Sequence, residues 1–132
     1  MVEVVIDASA VVDLLLGNQL GESVASRISG TGLHAPAHLD AECLSALGRL
    51  NRAGAVSETS VARMLTFLEL APIVRHPLDD LLAGAWTRRG NLRLADALYV
   101  QLAHTLDLTL VTTDTRLRPV ERVDVISSNE RS

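Results

Sequence analysis

The stretch Val2-Glu3-Val4-Val5-Ile6-Asp7-Ala8-Ser9 constrains this chain most. Val4-Val5-Ile6 is an unbroken β-branched run, without the alternation of a strand that has one wet face. Such a run belongs to a strand covered on both faces, as in the middle of a parallel sheet. Asp7 follows at once, where the strand ends and a helix over Ala10–Leu16 is expected to begin. In open α/β sheets, ligands collect outside the carboxyl ends of the strands. Asp7 therefore either carries chemistry or, with Ser9, merely caps the helix.

Composition narrows the choices. A length of 132 residues suits one domain, residues 1–132, with a polar tail from about residue 127. The single cysteine, Cys43, permits no internal disulfide and falls on the apolar side of a helix, so the reducing cytoplasm is the expected setting. No apolar run approaches the ~18 residues of a membrane span, and the N-terminus has no basic region of a signal peptide. All twelve Lys+Arg residues are arginine. That excludes a Walker A loop, a pyridoxal Schiff base and any catalytic lysine. A net charge of −4 gives no general attraction to nucleic acid, so binding there would need a local arginine patch.

Along the chain, helices are expected over Glu22–Ile28, His38–Ala53, Ser57–Leu70, Leu78–Arg88 and Leu92–Leu106. Strands are expected at Leu33–Ala35, Ala71–Val74 (an edge strand between Pro72 and Pro77), Leu108–Thr112 and Val123–Ile126. Strands and helices alternate from end to end, which calls for an α/β fold with a parallel sheet between helical layers. In the His38–Ala53 helix, Leu39, Cys43, Ala46, Leu47 and Leu50 form the apolar stripe. Glu42 borders that stripe, and Asp40 projects toward solvent. In the Leu92–Leu106 helix, Ala95, Leu98, Tyr99, Leu102, Ala103 and Leu106 form the stripe, with Asp96 at its edge. Asp79 and Asp80 read as first-turn charges that suit the helix dipole. His34 and His38 are four apart, but Pro36 between them breaks the helical geometry of a two-histidine metal site.

Asp114 follows the Leu108–Thr112 strand just as Asp7 follows the first. Asp7 and Asp114 leave strand ends; Glu42 and Asp96 sit at helix starts, on the same edge of the sheet. Each has a structural explanation of its own, yet all four converge. Carboxylates that close raise one another's pKa values unless a cation neutralises them. All-oxygen ligands suit Mg²⁺ or Mn²⁺, and metal-assisted phosphodiester hydrolysis is the chemistry that fits. A phosphoacceptor domain or an aspartate-nucleophile phosphatase would also place aspartates there, but normally with a lysine.

At these residues the chain resembles the PIN-domain ribonucleases, and most closely the VapC-type toxins of bacterial toxin–antitoxin pairs. The matching pieces are Val5-Ile6-Asp7-Ala8-Ser9, Pro36 through Glu42 to Leu50, Arg89-Gly90-Asn91-Leu92, Ala95-Asp96-Ala97-Leu98-Tyr99-Val100 and Leu110-Val111-Thr112-Thr113-Asp114. Leu94-Ala95 departs from the commoner pattern, in which an aromatic precedes the aspartate. The resemblance implies a three-layer α/β/α sandwich with a mostly parallel sheet, and Asp7, Glu42, Asp96 and Asp114 as ligands of Mg²⁺ or Mn²⁺. Ser9 and Thr112 match positions that hydrogen-bond the acids or a metal-bound water, and no histidine is needed as acid or base. Cleavage would leave 5′-phosphate and 3′-hydroxyl ends on RNA, with Arg89, Arg93 and Arg116 as candidates for neutralising its phosphates. The partners implied are a small VapB-like antitoxin that presents an arginine to the acidic pocket, and a second copy of the chain. The wide apolar face around Met64–Leu68 suits that homodimer. Two other readings stay open: a non-catalytic PIN-like binding module, and a PIN-family nuclease acting on DNA or in RNA processing outside a toxin–antitoxin pair.

Overall fold

A computed structural model describes residues 1–127. The chain runs β1 (Glu3–Ile6), α1 (Ala8–Leu16), α2 (Gln19–Ile28), β2 (Gly32–Pro36), α3 (Leu39–Arg52), α4 (Glu58–Leu70), β3 (Ile73–His76), α5 (Leu82–Trp86), α6 (Leu94–Leu106), β4 (Thr109–Thr112) and β5 (Val123–Val125). The polar tail expected from about residue 127 lies, beyond Ser127, outside the described residues.

The strands pair in parallel throughout, in the order β3-β2-β1-β4-β5. The run Val4-Val5-Ile6 is therefore central, and its three side chains are at most 1% exposed. The chain winds outward from β1 to β3, then crosses back to β4 on the other side of β1. Right-handed crossovers place α1–α4 on one face and α5–α6 on the other. In keeping with this, α1 packs on α2, α3 and α4, while α6 packs on α5 and on β1, β2 and β4. The reversal of winding makes the gap beyond β1 and β4 the topological switch point, where open sheets keep their ligands.

The α1–α2 corner shows how local residues set this layer. Gly17 at φ +67 ends α1 in a left-handed turn, closed by its N–H onto the carbonyls of Asp13 and Leu14. Asn18 then caps α2 by accepting from Gly21 N–H at 2.7 Å. Any Cβ at Gly21 would lie 2.0 Å from the Asp13 carbonyl oxygen, so only glycine lets the two helices meet. Fully buried Leu39, Cys43 and Leu47 carry α3 into the core. Each such leucine contributes roughly 1.5–3 kcal/mol by burial.

Several elements differ from the sequence expectation. Leu78–Arg88 is not one helix but a 3-10 turn, Asp79–Leu81, followed by the short α5. Gly84 lies inside it and disfavours helix, and the Thr87 hydroxyl donates to the Gly84 carbonyl at 2.6 Å where the helix stops. The edge strand begins at Ile73, because Pro72 keeps Ala71 extended and withholds an N–H. The last long helix begins at Leu94, after an extended Arg93. Its buried side chains include Ala97 and Val100 beside Tyr99, Leu102 and Ala103, whereas Ala95, Leu98 and Leu106 are only partly covered. Covered by both the sheet and α5, this helix has a wider apolar face than one stripe. Asp40 is not a free solvated acid: Arg75 of the edge strand donates to both its oxygens, at 2.9 and 3.2 Å.

Candidate active site at the β1–β4 crevice

Asp7 is both a cap and a cleft residue. Its backbone leaves the sheet with a last bond from its N–H to Val111 O at 3.3 Å. Its carboxylate then caps α1, accepting from Ala10 N–H at 3.1 Å. Ser9 donates to the same oxygen at 2.8 Å, and Thr112, opposite on β4, donates to the other at 2.5 Å. The two hydroxyls are themselves 3.1 Å apart. Ser9 Oγ accepts from Thr113 N–H at 3.2 Å and Thr112 Oγ1 from Asp114 N–H at 3.0 Å. Only 4% of Asp7 is exposed. Burial pushes its pKa up to about 6, against the lowering effect of Thr112, Ala10 and Ser9; Asp96 nearby adds to the rise.

Glu42, in the first turn of α3, accepts from the Tyr99 hydroxyl at 2.7 Å. Burial, and then this bond to Glu42, push the Tyr99 phenol far above its ordinary pKa. His38 stands beside them, with Nε2 3.0 Å from Ala95 O and 3.6 Å from Glu42 Oε1. An imidazole thus lies next to one of the acids. His34 is elsewhere, bonded to His76 at 2.9 Å and to Glu3 at 2.6 Å, so the two histidines share no site.

The remaining acids are met by arginines. Asp96 pairs with Arg93 at 3.1 Å and lies 3.9 Å from Arg116. Asp114 pairs with Arg116 at 2.5 Å and also caps the turn Thr115–Leu117 through Arg116 N–H. The guanidinium bond of Arg116 holds the Asp114 carboxyl below its ordinary range. The mutual rise in pKa expected of the acids is thus reversed at Asp114, and the rise at Asp7 comes first from burial rather than from its neighbours. The chain supplies its own cations to Asp96 and Asp114. Arg89 takes no part: it donates to Trp86 O at 2.9 Å and lies over the Trp86 ring.

A cleft of about 370 Å³ is lined by Asp7, Ser9, Glu42, Arg93, Asp96 and Tyr99, together with Asp13 and Arg49. Asp114 is not in its wall but reaches the group through Arg116, which bridges toward Asp96. Among the described residues, no three His, Cys, Asp or Glu side chains stand close enough to hold one ion as placed. Sequence reasoning missed Asp13, Arg49 and the tie from Tyr99 to Glu42. Helical spacing carries the signal for each. Asp13 follows Ser9 by four, Tyr99 follows Asp96 by three, and Arg49 follows Glu42 by two turns, so each shares a face with a residue already singled out. Asp13 also accepts from the Thr113 hydroxyl at 2.8 Å, tying α1 to the end of β4.

A family model described as PIN domain matches residues 4–123. "Ribonuclease VapC3" of Mycobacterium tuberculosis is 55% identical over 116 residues, covering 87% of this chain and 85% of the relative. Among solved structures, PAE2754 from Pyrobaculum aerophilum superposes with a TM-score of 0.67 at 27% identity, over 94% of this chain and 84% of that one. A toxin–antitoxin complex from Klebsiella pneumoniae contains a chain that matches with a TM-score of 0.59 at 14% identity, over 97% and 99%, a likeness of fold alone. The five-stranded parallel sheet between helical layers is the fold expected of such proteins, and the family match spans nearly all of it: this chain belongs to the PIN-domain family.

Proposed function

We propose that the chain is a metal-dependent endoribonuclease acting in the cytoplasm as the toxin of a toxin–antitoxin pair, built as a single domain over residues 1–132. The observation that carries this reading is that Asp7, Glu42 and Asp96, acids singled out from the sequence, line one cleft at the switch point of the sheet. The 55% identity to a protein named as a ribonuclease supports the same activity.

The donor set fits a hard divalent ion. Every candidate ligand is a carboxylate oxygen, and buried Asp7, with its raised pKa, is an anion that a cation would relieve. Asp7, Glu42, Asp96 and Asp114 would hold Mg²⁺ or Mn²⁺. Such an ion, when bound, supplies Lewis acidity at the scissile phosphate and lowers the pKa of water. The chain's other residues position these groups. Ser9 and Thr112 fix both oxygens of Asp7, and Tyr99 fixes one of Glu42. Arg93 and Arg116 are 67% and 59% exposed, so each is free to leave its acid for an RNA phosphate as the ion arrives.

The partners follow from the same reading. A small antitoxin is supported by the toxin–antitoxin assembly of the Klebsiella fold neighbour. Homodimerisation is supported by Phe67 and Leu70, 63% and 76% exposed at the end of α4 beside an apolar cleft lined by Leu14, Leu15 and Pro72. No helix among the described residues is long and apolar enough to cross a membrane.

The test is incubation of purified protein with total cellular RNA in Mn²⁺, in Mg²⁺ and in EDTA. Cleavage is expected with either metal, none in EDTA, and none from Asp96→Asn. Cleavage that persists in EDTA, or in a well-folded Asp96→Asn variant, would refute the reading.

A further inference from the structure

The chain's only tryptophan sits on the surface. Trp86 ends α5 and is 55% exposed, although the Arg89 guanidinium covers one face of its ring at 4.5 Å from the centroid. The rest of the ring is open, and Leu82, one turn earlier, is 57% exposed beside it. The arginine is held there by its own bond to Trp86 O, so ring and cation form a preset stack. Between Asp80 and Asp96 the chain carries Arg88, Arg89 and Arg93 and no acid. Within a protein of net charge −4, this is a local positive segment around an aromatic face.

That segment leads into the cleft. Gly84 abuts Gln101, and Arg88 donates to Oε1 of the Gln101 side chain at 3.1 and 3.2 Å. Gln101 lies five residues beyond Asp96 on α6, about 7.5 Å along the helix axis. From Trp86, seven residues of chain lead to Arg93 at the start of α6, whose guanidinium is on Asp96. Seven residues of chain reach at most about 25 Å, so Trp86 lies within a few nucleotides' length of a phosphate held at Arg93 and Asp96.

Resting on the ribonuclease reading above, we propose that Trp86, backed by Arg89, is a base-stacking platform for single-stranded RNA flanking the scissile phosphate. An open aromatic face beside arginines is the usual means of holding unpaired bases, and it tolerates any sequence because every base has a π-face. What favours nucleic acid over an apolar protein surface is the combination of the aromatic ring with Arg88, Arg89 and Arg93, a base-stacking face beside groups that suit phosphates.

Because Trp86 is the sole tryptophan, its emission reports on the platform directly. The experiment titrates Asp7→Asn, which should not cleave, with a fluorescein-labelled single-stranded RNA oligonucleotide in EDTA. Binding is followed by fluorescein anisotropy and stacking by tryptophan emission. Quenching that saturates with the anisotropy, and is absent with the same sequence as a duplex, is the expected result. In cleavage assays with metal, Trp86→Ala should raise KM about tenfold at unchanged kcat, and Trp86→Phe should restore most of the loss. Rising anisotropy with unaltered emission, or a Trp86→Ala enzyme with unchanged KM, would overturn the platform while leaving the nuclease standing. If the wild type neither cleaved nor bound RNA, both readings would fall together.

Discussion

Replacing Asp7 by Asn should stabilise the metal-free protein at neutral pH while abolishing its activity. Asp7 titrates at about 6 when folded, against about 3.9 in an unfolded chain. Between those values the folded state binds more protons, so the group's contribution is fully present below about pH 4 and lost as pH rises through about 6. Above that, the two-unit difference costs about 3 kcal/mol. Asparagine removes the charge but changes the hydrogen bonds. Its amide would donate to Thr112 Oγ1, and the Thr112 hydroxyl can turn to Ser9 Oγ, 3.1 Å away. Allowing about 1 kcal/mol for that rearrangement leaves a net gain of about 2 kcal/mol, or roughly 8 °C in Tm. The assay is thermal unfolding of wild type and variant in EDTA, followed by circular dichroism from about pH 4 to 8. The difference should be largest above pH 6, shrink as pH falls, and change sign between about pH 4 and 5, where the charge penalty drops below the roughly 1 kcal/mol cost of the rearranged hydrogen bonds. A variant less stable than wild type at every pH would mean that buried Asp7 is already well compensated, and the reasoning would fail. Added Mn²⁺ should reverse the order, since ligand at 100 times Kd stabilises the wild type by about 2.7 kcal/mol and the variant much less.

Other outcomes follow from the same geometry. Arg116→Ala removes the cation on Asp114, so the Asp114 pKa should return toward its ordinary value; Mn²⁺ should bind more tightly, read as a larger metal-induced rise in Tm than in wild type. Tyr99→Phe deletes the 2.7 Å bond to Glu42 and should cost about 1.5 kcal/mol in urea unfolding, with weaker metal binding. Leu47→Ala in the fully buried stripe of α3 should cost about 2–5 kcal/mol by the same method. Phe67→Arg should convert a dimer to a monomer in light scattering; a wild type already monomeric at tens of micromolar would remove the homodimer.

Much of this protein is legible in its residues because the signals are local. A short β-branched run with no polar alternation reads as a strand covered on both faces, and Val4-Val5-Ile6 is the central strand of the sheet. A carboxylate at a strand end or in a helix's first turn lies at one known edge of a parallel sheet, which is why Asp7, Glu42, Asp96 and Asp114 stand out together in the sequence. Tertiary structure decided how those charges are balanced. Periodicity says which face a side chain occupies but not which partner meets it there. Arg93 and Arg116 on the acids, Arg75 on Asp40 and Tyr99 on Glu42 needed the packing of separate elements. So did the raised pKa of Asp7, which reflects how completely it is enclosed between β1, α1 and β4. The sequence holds the list of charges; desolvation and pairing, which depend on distances across the fold, determine what each one does.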